Sequence, residues 1–263
     1  METKTIVITG STRGIGLGMA EEFLKRGHQV TINGTSQKSI DASLEKLKAF
    51  HDRILGIPGN VTKNHTHEKL FDLTVERFGK VDIWINNAGI PVPRKMTVDL
   101  EKEDIKAVYD VNLKGMTQGT LWALRKMKDQ GYGKIFNMEG FGSDGRMMPK
   151  MTIYGTSKYA LRYFTRSMAK EAEGTGVQIG ALSPGMVVTD FIHTSIADSS
   201  PEEKERTKNI FNILGEKVET VAPFLVEGIL KSTKNNDRIA YLNSIKVMWK
   251  FVKSNFKKNN FFD

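Results

Sequence analysis

The chain has 263 residues, 39% of them hydrophobic and 26% charged, with a formal net charge of +9. That length and composition suit one α/β unit with a packed core and exclude intrinsic disorder. There is no cysteine, which excludes disulfides, thiol catalysis and thiolate metal sites, and no apolar run reaches the roughly 18 residues that cross a bilayer.

A first strand is expected over residues 5–9. It starts too early to leave room for a signal peptide, which with the missing cysteines gives a cytoplasmic expectation. It runs into Thr9-Gly10-Ser11-Thr12-Arg13-Gly14-Ile15-Gly16 and a helix over 16–26. Glycines at a strand-to-helix turn let the backbone approach a pyrophosphate, and the helix N-terminus offers free N–H groups and a positive dipole end. The spacing is G-x-x-x-G-x-G; the more general G-x-G-x-x-G would need glycine where Met19 stands.

The second strand, over 29–33, ends in Ile32-Asn33-Gly34-Thr35-Ser36. An acid there would bind a ribose 2′-hydroxyl and repel a 2′-phosphate. None is present, and Arg13 with Thr35 and Ser36 suits a phosphate, so NADP(H) is the expected cofactor. A helix over 39–51, a strand over 53–57 and a helix over 65–78 follow. His65 and His67, two apart on that helix, read as surface residues, so no metal site is expected.

Next come a strand over 81–86, one long helix over 102–130 and a strand over 134–137. The helix over 153–173 carries Tyr154 and Lys158. Four residues make one helical turn, so phenol and ammonium share a face. A nearby ammonium favours the phenolate, giving a tuned proton donor and acceptor. After a strand over 178–182, the polar stretch 187–215 reads as an irregular insertion and a substrate lid. A helix over 218–232 and a strand over 239–242 close the alternation. The pattern predicts a single-domain, doubly wound, Rossmann-like parallel sheet over 1–243.

Residues 244–263 form a basic tail. Ile245, Met248, Trp249, Val252 and Phe256 recur at helical spacing among Lys246, Lys250, Lys253, Lys257 and Lys258. This amphipathic pattern suits either packing on the domain or a sister subunit, or peripheral contact with an anionic membrane. No nucleic-acid motif accompanies the positive charge, so no nucleic-acid partner is expected.

Taken in order, the motifs resemble the short-chain dehydrogenase/reductase family. They are Gly10-x-x-x-Gly14-x-Gly16, Asn86-Asn87-Ala88-Gly89, Asn112, Tyr154-x-x-x-Lys158, and Pro184-Gly185 followed by Thr189. The resemblance implies that Asn86, Ala88 and Gly89 line the adenosine side of the cofactor. It puts Asn60, ahead of Val61, at the adenine, where the family often has aspartate. Pro184, Gly185 and Thr189 would hold the nicotinamide carboxamide. Tyr154 would donate the proton, Lys158 would lower its pKa and bind the nicotinamide ribose, and Asn112 would hold a relay water. Homodimers or homotetramers are implied.

One departure stands out. The family usually has a serine after the fifth strand that bonds the substrate oxygen, and here the position falls on Gly140 or Phe141 in Asn137-Met138-Glu139-Gly140-Phe141-Gly142-Ser143. Losing such a donor costs on the order of 10²–10³ in rate. Ser143 substitutes, or a substrate group or water does, or the protein is a non-catalytic NADP(H)-binding scaffold or sensor. The same run, with Asp144-Gly145-Arg146 and Pro149, resembles the chlorophyll b reductase branch, the non-yellow-colouring proteins of plants. That implies reduction of a formyl group on a tetrapyrrole. A steroid, acyl or sugar ketone is the alternative substrate class, and Met147, Met148 and Met151 suit an apolar one.

Overall fold

The computed structural model describes residues 2–196, 199–254 and 259–261. Seven parallel strands form one sheet in the order β3-β2-β1-β4-β5-β6-β7. They are β1 (Thr5–Ile8), β2 (Gln29–Gly34), β3 (Ile54–Pro58), β4 (Ile83–Asn86), β5 (Gly133–Met138), β6 (Val177–Ser183) and β7 (Arg238–Ala240). Helices cover both faces, so the central strands are apolar on both sides, as expected of a parallel sheet. In β1, Ile6 and Ile8 join the core cluster that includes Met19 and Phe23 of α1 (Gly14–Lys25). Val7 points the other way, into the cluster holding Leu70 of α3 (Asn64–Phe78). That alternation is the period of two of a pleated strand.

The remaining helices are α2 (Gln37–Lys46), α4 (Lys102–Tyr109), α5 (Met116–Gln130), α6 (Thr152–Glu171), α7 (Asp190–Ser195), α8 (Pro201–Leu214), α9 (Val218–Lys231) and α10 (Ser244–Ser254). Two expectations need correction. The long helix over 102–130 is interrupted by a π-helical turn, Asp110–Gly115, which carries Asn112. The stretch 187–215 is largely helical rather than irregular. Ser200-Pro201-Glu202-Glu203 starts α8 with a capping box: the Ser200 hydroxyl accepts the Glu203 N–H at 3.3 Å and Glu203 accepts the Ser200 N–H at 3.4 Å. That start signal was present in the sequence; the polar helix surface obscured it.

The strand order reverses between β1 and β4. Loops leaving the C-terminal ends of these two strands diverge there, and such a switch point is where doubly wound sheets bind ligands.

Candidate active site

The loop after β1 rests directly on the turn after β4. Gly10 and Gly14 take φ of +60° and +56°, a region that penalises any Cβ. A Cβ on Gly10 would lie 2.6 Å from Ala88 Cα. Asn87 locks the contact, donating from Nδ2 to the carbonyls of Thr9 and Gly10 at 3.0 and 2.8 Å. Buried Asn33 accepts the Gly10 N–H at 3.3 Å and donates to the carbonyls of Ile57 and Gly59. Ser11 is engaged inside the fold: its hydroxyl donates to the Ile8 carbonyl at 2.6 Å and accepts the Asn33 N–H at 3.0 Å. Ile15 packs against the core, and a Cβ on Gly16 would meet Asn87 Nδ2 at 2.5 Å.

Arg13 is exposed at the N-cap of α1, and Thr35 and Ser36 are exposed past β2. The two segments meet where a Cβ on Gly34 would come 2.5 Å from Thr12 Cγ2. Asn60 is exposed, with its side chain accepting the Thr62 N–H at 3.0 Å. Val61 is buried, and its carbonyl accepts from His67 Nε2 at 2.9 Å. His67 is fully buried, which corrects its expected surface position. Asn86 lies in a buried polar network, donating to Thr120 and Asn137 at 3.0 and 2.8 Å. Thr189, the N-cap of α7, closes over the glycine loop: a Cβ on Gly14 would lie 3.6 Å from its Cγ2. Pro184 is buried, and Gly185, which follows it, is exposed. The close-set glycines and the exposed Arg13 fit an elongated phosphorylated cofactor lying along this edge.

At the far end of the same crevice stand Tyr154, Lys158 and Asn112. Lys158 Nζ lies 5.8 Å from the Tyr154 ring centroid and donates to the Met138 carbonyl at 3.1 Å. Asn112 is fully buried and clamps Ile90, donating to its carbonyl at 2.9 Å and accepting its N–H at 2.8 Å. Exposed Gly89 sits between them: a Cβ there would meet Asn112 Oδ1 at 3.4 Å and Lys158 Nζ at 3.7 Å. Burial pulls Lys158 down to about 8, with the Glu139 carboxylate opposing the shift. Burial also pushes the Tyr154 phenol above its ordinary value. In this protein desolvation therefore outweighs the expected pull of the ammonium on the phenol.

The Tyr154 hydroxyl lies tight against Gly140, where a Cβ would be 2.4 Å from it. Ser143 is buried too, but its hydroxyl donates to Glu139 at 3.3 Å and makes no hydrogen bond to Tyr154. Glu139 is the residue the sequence reading passed over. Its carboxylate is buried at the end of β5, bonded by Arg238 at 2.8 Å and approached by Arg162 at 3.8 Å. A charge at the end of a buried strand was the available signal. Phe191 of α7 packs edge-on against Tyr154 at 5.9 Å, so the stretch expected as a lid reaches the tyrosine. Val92, Val108 and Met151, with Ile90, Phe141 and Phe191, make the surroundings of Tyr154 apolar. Lys150 ties this wall to α8 through Glu203 at 2.5 Å.

The family model for short chain dehydrogenases matches residues 4–200. Over 278 residues the chain is 33% identical to the chloroplastic "probable chlorophyll(ide) b reductase" of Arabidopsis thaliana, covering 99% of this chain and 55% of that protein. A chloroplastic chlorophyll(ide) b reductase of the same plant is 34% identical over 230 residues, covering 85% of this chain and 64% of that protein. The chain thus spans less than two thirds of the length of these curated relatives. Among solved structures, an actinorhodin polyketide ketoreductase with NADPH is similar at a TM-score of 0.78 and 25% identity, covering 90% of this chain and 96% of that one.

Proposed function

The chain belongs to the short-chain dehydrogenase family, and on that premise we propose that it is an NADP(H)-dependent reductase of a carbonyl on an apolar cyclic compound, a tetrapyrrole formyl group above all. The carrying observation is the convergence of Lys158 Nζ and Asn112 Oδ1 on Gly89, one helical turn from a Tyr154 held in apolar surroundings. The likeness to chlorophyll(ide) b reductases and the resemblance of the Asn137-to-Arg146 run to that branch support the formyl substrate.

When bound, the nicotinamide supplies the hydride that reaches the carbonyl carbon. Gly10, Ser11, Gly14, Ile15 and Gly16, with the Asn86-to-Gly89 turn and Asn60-Val61, would hold the cofactor along the crevice. Arg13, Thr35 and Ser36 would take a 2′-phosphate, and Pro184, Gly185 and Thr189 would orient the nicotinamide end. Tyr154 holds its proton at Oη because burial disfavours the phenolate, so it is poised as the acid for a nascent alkoxide. Burial pulls Lys158 down to about 8, which suits its ammonium, 5.8 Å from the Tyr154 ring centroid, to serve as the next proton carrier. Phe141 and Phe191, packed against the cluster that holds Tyr154, make that proton's neighbourhood apolar. Gly140 has no side-chain donor, and Ser143 is committed to Glu139. These contacts favour a group of the substrate itself or a water as the partner of the substrate oxygen besides Tyr154.

As in its family, the chain is proposed to act as a homodimer or homotetramer. The test is NADPH oxidation with chlorophyllide b and a panel of steroid, acyl and sugar ketones. Turnover that Tyr154→Phe abolishes supports the reading. Tight NADPH binding with no turnover of any carbonyl would favour a cofactor-binding sensor instead.

A further inference from the structure

The tail turns its amphipathic helix inside out. In α10, Ile245, Met248, Trp249 and Val252 are 65, 60, 58 and 47% exposed, and Phe251 beside them is half exposed. Phe256, Lys257 and Lys258 of the expected stripe lie outside the described residues.

Lysines fix this orientation. Lys250 donates to the Gly215 carbonyl at 3.1 Å and pairs with Glu216. The Lys246 ammonium sits over two rings, 4.6 Å from the Phe224 centroid and 4.1 Å from that of Tyr241. The chain beyond stays close to α8, where Asn212 accepts the N–H groups of Asn259 and Phe261. The domain therefore holds the polar edge of α10, and the apolar stripe is what remains for an outside partner.

We propose that this stripe seats α10 in the interface of an anionic phospholipid bilayer. At about 100° per residue, the four stripe residues span roughly 100° of the helix; exposed Lys253 borders the stripe on the flank whose further lysines, Lys246 and Lys250, hold the domain. An apolar band with a tryptophan and a lysine flank is the pattern of a helix lying in the headgroup boundary. Charge agrees with that occupant. Positions 243–263 contain five lysines (246, 250, 253, 257 and 258), of which Lys250 is paired with Glu216, against one acid, Asp263, and the whole chain carries +9. Area favours lipid over a second copy: a stable dimer takes about 800 Å² from each partner, and five side chains exposed by 65, 60, 58, 50 and 47% offer about 550 Å² at roughly 200 Å² for each full side chain. The inference stands apart from the reductase reading, because none of these residues lies in the crevice.

The full chain is floated with vesicles of phosphatidylcholine alone and of phosphatidylcholine with phosphatidylserine. Co-flotation is expected with the mixed vesicles, at least about tenfold weaker with the neutral ones, and falling with added salt. Met248→Ser/Trp249→Ser lowers binding by at least about tenfold with NADPH affinity unchanged, and Lys253→Gln lowers it about fivefold. Wild-type protein that stays unbound, or a double variant that floats like wild type, overturns the proposal. Sedimentation velocity without lipid gives the third outcome: a wild type that is a larger oligomer than the double variant means a second copy covers the stripe, which overturns it as well.

Discussion

Replacing Gly140 by alanine places a methyl group 2.4 Å from Tyr154 Oη and 3.2 Å from its Cε1 and Cζ. Non-bonded heavy atoms settle near 3.5 Å, so the hydroxyl must retreat by about 1 Å. The tyrosine has little freedom to absorb this, with Phe191 on its ring and Gly142 packed on Gly155 in the same turn of α6. A displacement of that size at a reacting group costs about 10²-fold in rate, or about 2.7 kcal/mol in the barrier. Gly140 does not have a positive φ, so backbone strain adds nothing. The overpacking also lowers stability by about 1–3 kcal/mol. The assay is kcat for NADPH oxidation, with NADPH affinity and melting temperature measured alongside. Affinity should hold, because the glycine loop after β1 is untouched. Gly140→Ser carries the same Cβ, so it too should fail, even though it supplies the missing hydroxyl. An alanine variant with normal affinity and kcat within about threefold of wild type would refute the argument that the Tyr154 hydroxyl is positioned against Gly140 for turnover.

Two further outcomes are expected. Arg13→Glu sets a carboxylate at the exposed N-cap of α1 and should weaken NADPH binding by about 10- to 100-fold, while NADH binding changes little; equal loss for both cofactors would remove Arg13 from 2′-phosphate recognition. Burial pulls Lys158 in the native protein down to about 8 from its ordinary 10.5. Below pH 8 both states hold the proton and the native state bears the full cost of burying it. Between 8 and 10.5 the unfolded chain holds a proton that the native chain lacks, so stability rises with pH, by about 3 kcal/mol over the window. Urea unfolding of wild type and Lys158→Met on either side of the window tests this: the difference between them should close as pH rises, and a pH-independent difference would contradict it.

Local signals in the sequence specified most of the frame. Strand runs of β-branched residues, glycines at turns and helical periodicity are readable without knowing what they pack against, and all seven strands lie where those patterns put them. The one-turn spacing of Tyr154 and Lys158, the glycine loop and the missing acid after β2 are equally local. The capping box at Ser200 was legible as well, but a helix with a mostly polar surface gives a weak periodic signal.

Burial and direction belong to the tertiary structure, because they depend on residues far apart in the chain. Nothing near Tyr154 in sequence shows that Phe191 covers it, that Gly140 leaves its hydroxyl no slack, or that desolvation raises its pKa. Ser143 was a candidate by proximity in sequence; Glu139, held by Arg238 from β7, takes its hydroxyl. The tail shows the same division. Its sequence fixed an amphipathic helix but left open which face meets the domain, since apolar packing and lysine anchoring were both available. Glu216, Phe224 and Tyr241 decided it by offering partners for the lysines, so the apolar stripe faces outward.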